Sequence, residues 1–326
     1  MKCLLLLVAL CSIHVPTMAQ KSGPPGPMSS HFVDWLIAHG YEQDAFDRPD
    51  VGPNGSFGGK RRSGDPVEKE PVIFIHGSGD TALFTQQPLA TGFSRSIQYF
   101  LEQNYTESEL YATTWGDTWG SGSMLDTYST IHTCGNLIYL RRFLEAVIGY
   151  TGAKKVDIIA HSVGVPLMRK VVKGGTLIGT DGNCTLGPPL GAKVDTFLGI
   201  AGPNFGLCVC QLAQTVPAWC NALDGLYPVW EVSPIIFSYG ADTHPEVANK
   251  KTTRIFYKKP MMIQIEKEIM FMLFDEVLLN RGMVWGKPTA RIPGMNGRWI
   301  SDRNGHVAMK DLTELRQFEA VVHHSI

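Results

Sequence analysis

The sequence is short of charge. Asp, Glu, Lys and Arg make up only 18% of its 326 residues, where about 25% is usual for a soluble domain. Twenty-nine basic side chains are matched by 30 acidic ones, a net charge of -1. A nucleic-acid binder carries a basic excess, so that class is excluded. No internal repeat is present, which excludes solenoids and propellers. No apolar run reaches the roughly 20 residues that a transmembrane helix requires. Disorder is excluded by abundance rather than absence: 44% of the residues are hydrophobic, enough for a sizeable core. The length suits one large domain or two small ones.

The chain opens Met1-Lys2-Cys3, runs apolar from Leu4 to Leu10, and reaches Thr17-Met18-Ala19 after a short polar stretch. An early Lys, an apolar run of about ten residues and small residues after it make a secretory signal peptide, residues 1–19, cut after Ala19. A membrane anchor would need about twice that run. Export sets the reading of the cysteines. Cys3 and Cys11 leave with the signal, and Cys134, Cys184, Cys208, Cys210 and Cys220 remain. In an oxidising compartment most of these pair, with an odd one over and the connectivity open. The spacing of Cys208, Cys210 and Cys220 suggests a bridge closing a local loop. Sequons stand at Asn54-Gly55-Ser56, Asn104-Tyr105-Thr106 and Asn183-Cys184-Thr185, each a glycan acceptor if exposed.

Residues 20–30 are rich in Pro, Gly and Ser and read as a flexible lead-in. Residues 31–326 read as one domain. A short amphipathic helix is predicted over 31–40, and a glycine-rich charged loop over 50–70. Strands and helices then alternate: strands at 72–76, 109–113, 156–160, 194–201 and 235–238, helices at 91–103, 132–150 and 163–173. Such alternation predicts an α/β fold, with a mostly parallel sheet covered by helices on both faces.

The segment Val156-Asp157-Ile158-Ile159-Ala160-His161-Ser162-Val163-Gly164 runs from a buried strand through Ala-x-Ser-x-Gly into a helix. This is the nucleophile-elbow pattern, with Ala160 for the first Gly. The turn is tight, so positions two before and two after the serine must be small. Upstream, a strand ends in His76-Gly77-Ser78-Gly79, where an oxyanion loop would lie. The backbone amides of Ser78 and Val163 are the candidate donors, and losing one such donor typically costs about 3 kcal/mol of transition-state stabilisation. His76 reads as a turn residue, because it precedes the nucleophile and the order in this fold is Ser, acid, His.

Three segments carry a family resemblance: Pro71-Val72-Ile73-Phe74-Ile75-His76-Gly77, Thr151 through Ser162, and Leu198-Gly199-Ile200-Ala201-Gly202-Pro203-Asn204. The chain resembles the class 2 lipases of the α/β-hydrolase superfamily, which include small secreted bacterial lipases and many secreted nematode lipases. Ala in the first elbow position is typical there. Ser56-Phe57-Gly58-Gly59-Lys60 and Cys220-Asn221 resemble the nematode branch. The resemblance implies an α/β-hydrolase fold and a lid inserted after the strand that follows the nucleophile helix, here 202–233.

Ser162 needs a base, and the base needs an orienting carboxylate. The acid is expected after the strand following the lid, where Ile235 to Ser238 leads through a turn to Asp242; Asp224 precedes that strand and is disfavoured. The base is expected at His306, beside Gly305, as in the family's Gly-His. His323 and His324 read as tail, and His244 lies too close to Asp242. The lid is apolar, and Phe205 and Leu207, with Trp115 and Trp119, are candidate substrate-binding residues. Against each stands the plainer reading of core or rim packing. Residues 243–282 depart from the family: a basic stretch, then an apolar run from Met261 to Asn280. This insert reads as a lipid-docking amphipathic helix, a packed surface helix, or a spurious insertion. The expected activity is secreted serine ester hydrolysis of acylglycerols at a lipid–water interface through Ser162, Asp242 and His306, with no cofactor or metal. Alternatives are a short-chain esterase or acyltransferase on the same triad, or a non-catalytic lipid-binding protein.

Overall fold

The computed structural model describes residues 23–86, 90–117, 130–207, 210, 218–221, 224–227, 261–266, 283–284, 287–290, 292, 295–301 and 304–325. Helix α1 (Ser30–Ala38) starts where Ser29 accepts a hydrogen bond from the Phe32 amide. Strand β1 (Ser56–Phe57) lies in the glycine-rich region that reads as loop, and β2 (Val72–Ile75) follows. Then come α2 (Ser94–Glu102), β3 (Leu110–Thr113) and α3 (Cys134–Thr151). Helix α3 is capped by the Thr133 hydroxyl and ends at Gly152 with φ 66°, a left-handed cap that glycine adopts without penalty. Strand β4 (Val156–His161) leads into α4 (Gly164–Lys173). A hairpin, β5 (Thr176–Gly179) and β6 (Gly182–Thr185), precedes β7 (Val194–Ile200). Beyond the lid lie β8 (Met261–Glu266), the pair β9 (Met283–Val284) and β10 (Lys287–Pro288), β11 (Gly297–Ile300), α5 (Ala308–Asp311) and α6 (Glu314–His323).

Seven strands form one sheet in the order β1-β3-β2-β4-β7-β8-β11. Every pairing is parallel except that of the edge strand β1 with β3. Side chains alternate across the sheet, so successive residues of one strand enter different cores. Ile73, Ile75, Tyr111, Val156, Ile158 and Ala160 join α1, α3 and α4 on one face. Val72, Phe74, Leu110, Ala112, Ile159, Leu198 and Ile200 join α2, Met309 and α6 on the other. Burial on both faces explains why these strands read as unbroken apolar runs. The result is the α/β-hydrolase arrangement, with the ends of β2 and β4 side by side at the centre.

One expectation is corrected. The neighbour of β7 is β8, Met261–Glu266, in parallel register with Thr196 to Ile200. The run 235–238, expected as the strand that follows the lid, lies outside the described residues, and so does most of 243–282. Two of the three readings of 243–282 make it a helix, yet Met261–Glu266 is a strand. The physical reason is local: Ile263 and Ile265 alternate with Gln264 and Glu266, the period-2 pattern of a strand. A long apolar window hides that alternation.

Among the described residues there are two disulfides. Cys134–Cys184 joins the start of α3 to β6, and Cys210–Cys220 closes a loop within 202–233. The second fits the local loop expected from spacing. Lid residues are further held to the hairpin: Asp224 accepts from the Ile178 amide at 2.8 Å and from the Asn221 side chain at 2.8 Å. Among the described residues, no helix is long and apolar enough to cross a membrane.

Candidate active site

Ser162 stands where β4 turns into α4, with φ at +55°. That left-handed conformation is costly for a residue with a side chain and marks a strained, over-determined turn. The strain is held by crowding. A Cβ on Gly164 would come within 2.4 Å of the His76 carbonyl oxygen, and one on Gly77 within 2.7 Å of the Ser162 Cβ. Gly77 and Gly164 are therefore required by close approach of two strand ends, not by loop flexibility. The same contact puts the 77–79 turn directly beside the serine.

His306 reaches the serine from the far side of the sequence. Its Nε2 lies 2.9 Å from Ser162 Oγ, across 144 residues of chain. Both are nearly enclosed, at 2% and 6% exposure, so the pair sits out of bulk water where electrostatic effects are strong. His306 enters α5 from a turn in which the Met309 amide bonds the Gly305 carbonyl at 2.9 Å. His161, buried beside Ser162, has its Nε2 3.1 Å from the His306 carbonyl oxygen. Burial, then the nearby His306 and Lys310 charges, hold His161 well below the usual imidazole range. It is thus a neutral donor to the base loop.

His76 is not positioned as a base. Its Nδ1 meets the Gly77 carbonyl at 2.6 Å, and its Nε2 accepts the Trp115 amide at 3.0 Å. The Trp115 indole N–H donates back to the His76 carbonyl at 3.0 Å, and the two rings stack. Burial pushes the His76 imidazole down to about 4. Trp115 therefore braces the turn, a role that its sequence position did not suggest. Leu207 is buried in the same core as Val163 and Val165, and Phe205 is buried with its amide bonded to the Thr289 carbonyl. Asp242, Trp119 and His244 lie outside the described residues.

The disfavoured acid and the two tail histidines are placed elsewhere. Asp224 is bonded to the Ile178 amide and the Asn221 side chain, with His132 at 3.5 Å. His324 pairs with Asp195 at 2.9 Å, and His323 ends α6. Among the described residues, Glu70, Asp157 and Asp195 lie close enough together to hold a cation. They cluster at the opening ends of the strands, away from Ser162, and Asp195 already pairs with Lys155 and His324. Burial raises the Asp157 carboxyl well above the usual carboxylate range, with Glu70 adding to it.

A buried cation beside the base escaped the sequence reading. Lys310 is wholly enclosed, with Asp80 at 3.2 Å and Asp311 at 2.9 Å. Asp80 closes the turn that begins at Gly77. No signal in the sequence points to it, since its partner Asp80 lies 230 positions away.

Comparison with known proteins agrees with the arrangement. The family model described as "Lipase (class 2)" matches residues 69–319. Among solved structures, the mature lipase BlEst2 of Bacillus licheniformis is 16% identical, with a TM-score of 0.40, over 82% of this chain and 97% of that one. A lipase-esterase related protein of Clostridium acetobutylicum is 12% identical, with a TM-score of 0.36, over 79% and 97%. The carboxylesterase CesB of Bacillus subtilis is 12% identical, with a TM-score of 0.33, over 90% and 99%. The match over residues 69–319 is the finding that identifies the family.

Proposed function

The chain belongs to the class 2 lipase family, and on that premise we propose that it is a secreted serine hydrolase of acylglycerol esters. The observation that carries the reading is the contact of 2.9 Å between His306 Nε2 and Ser162 Oγ at a strained strand-to-helix turn. His306 takes the hydroxyl proton as Ser162 attacks the ester carbonyl. The tetrahedral oxyanion is held by the amides of Ser78 and Val163, with the N-terminal end of α4 adding favourable field. His306 then protonates the leaving alcohol. Water, deprotonated by the same imidazole, releases the acid from the acyl-enzyme. Asp242 orients and stabilises the imidazolium.

The acid has one rival reading. The strand beside β7 is β8, and in this fold the acid follows that strand. A carboxylate just beyond Glu266, such as Glu268, is therefore the second candidate.

A low content of charge and the apolar stretch 202–233 support a neutral lipid ester; of the four residues expected to bind it, Trp115, Phe205 and Leu207 are buried, which leaves Trp119 as the lining candidate. The test is labelling by a serine-directed alkyl phosphonate. The folded protein is expected to take one equivalent at Ser162, located by peptide mass mapping, and absence of label would sink the hydrolase reading. Rates on a series of esters of rising chain length separate a lipase from a short-chain esterase.

Secretion is supported by the two disulfides, which persist in oxidising compartments. It leads to a second expectation. Asn104 and Asn183 are exposed, whereas Asn54 is half-buried with its amide donating to the Phe84 carbonyl at 2.7 Å. Protein made through a secretory route is expected to carry glycans on Asn104 and Asn183 and none on Asn54. Glycopeptide mapping checks this, and a glycan on Asn54 would contradict it.

A further inference from the structure

We propose that Lys310 is a positioning residue that locks the oxyanion turn to the segment carrying the base. The proposal rests on the hydrolase reading of Ser162 and His306.

An ammonium taken out of water costs several kcal/mol unless it is paired and hydrogen-bonded. Lys310 meets that demand with oxygens from three stretches of chain. Asp80 Oδ2 lies at 3.2 Å and Asp311 Oδ1 at 2.9 Å. The Thr91 hydroxyl accepts at 2.7 Å, and the Gly92 carbonyl accepts a further bond. The Phe93 ring covers the cation, with its centroid 5.2 Å away, a favourable cation–π contact. The surrounding oxygens are themselves tied together. Asp80 Oδ1 accepts from the amides of Thr81 and Gly92, both at 2.8 Å. The Thr91 hydroxyl also donates to Asp311 at 3.2 Å. Gly92 has φ 54°, and a Cβ there would meet Leu83 backbone at 2.3 Å, so this loop is fitted tightly.

What distinguishes this network from an ordinary buried ion pair is what it joins. On one side, Asp80 ends the turn that starts at Gly77, with its amide 3.4 Å from the Gly77 carbonyl. On the other, Lys310 sits in α5, a helix of four residues immediately after the turn that carries His306. A helix that short has no stability of its own. Its place is set by tertiary contacts, and Lys310, buried as fully as its neighbour Met309, supplies the charged ones. The base and the oxyanion donors thus reach Ser162 from segments 230 residues apart, held in mutual register by one ammonium group. A displacement of about 1 Å in such a constellation can cost about 10²-fold in rate.

The experiment compares Lys310→Met, Lys310→Arg and the double variant Lys310→Met/Asp80→Asn with the parent, on p-nitrophenyl butyrate and in phosphonate labelling rate. Folding is checked by near-ultraviolet circular dichroism. Lys310→Met is expected to lower kcat by about 10²-fold, with KM changed less than about twofold. The double variant leaves no carboxylate at position 80 to be stranded, so it is expected to regain stability without regaining kcat. Lys310→Arg keeps the charge but moves the donors, and is expected to lie between parent and Met. Parent-like kcat in any folded Lys310→Met or double variant would overturn the proposal, and so would recovery of kcat along with stability. Where Lys310→Met does not fold, the double and Arg variants decide by the same criterion. If the parent itself takes no phosphonate, the hydrolase reading fails and this proposal falls with it. If the parent and a folded Lys310 variant label at equal rates, this proposal alone is lost.

Discussion

Replacing Ser162 with alanine is expected to lower kcat for ester hydrolysis by about 10⁴- to 10⁶-fold, and replacing His306 with alanine by a similar factor. The reason is geometric. One proton moves along the contact between His306 Nε2 and Ser162 Oγ, and neither partner has a substitute within the turn. His161 faces the base loop's carbonyl and is held neutral by burial, and His76 is spent on Gly77 and Trp115. The double variant is expected to be no slower than the slower single one, because groups that act as a unit are lost once. Initial rates on p-nitrophenyl butyrate, with the fold checked by thermal melting, give all three numbers. Losses that multiplied in the double variant would mean two independent contributions and would contradict the triad. Asp242→Asn is expected to cost about 10⁴-fold. If it does not and Glu268→Gln does, the acid follows β8 instead.

Acidification is expected to destabilise the protein by roughly 3 kcal/mol through His76 alone, between pH 6.5 and about 4. Burial lowers this imidazole from 6.5 to about 4 in the folded state. Between those values the unfolded chain binds a proton that the folded chain refuses, so stability is complete above pH 6.5 and declines as pH falls. Hydrogen bonding gives the same sign: a second proton would have to sit on Nε2, which accepts from the Trp115 amide. His161 adds in the same direction. Urea unfolding at pH 7 and pH 4.5 tests this on the parent and on His76→Asn. The variant is expected to be less stable at pH 7, having lost two hydrogen bonds, yet to lose less on acidification. Equal losses in both proteins would remove His76 from the account.

Much of this arrangement was legible in order along the chain. Val72–Ile75 and Val156–His161 are short apolar runs that end in small residues and a turn, and local pattern suffices to read them. Gly164 and Gly77 were readable as small residues at an elbow and a strand end, although the contacts that require them were not. Cys210–Cys220 was legible because its loop is short, whereas Cys134–Cys184 spans 50 residues and no spacing rule selects it. The strand beside β7 was not read from the sequence, because 261–266 lies at the head of a long apolar run. Its pairing with Thr196 to Ile200 is what singles it out, and that is a long-range property. Lys310 and Asp80 were invisible for the same reason. A charged pair 230 positions apart has no signature in sequence, and a buried lysine reads like any surface lysine until its neighbours are known.

The order of the site along the chain has a consequence for biosynthesis. Gly77, Ser162 and β7, whose Ile200 carbonyl accepts from the Ser162 amide, emerge first. His306 and Lys310 belong to the last stretch to be made. A nascent chain that has folded up to β7 therefore holds its serine without a partner to deprotonate it. On the proposed assignment, hydrolytic power arrives only when α5 docks, so activity is the last property that the folding chain acquires.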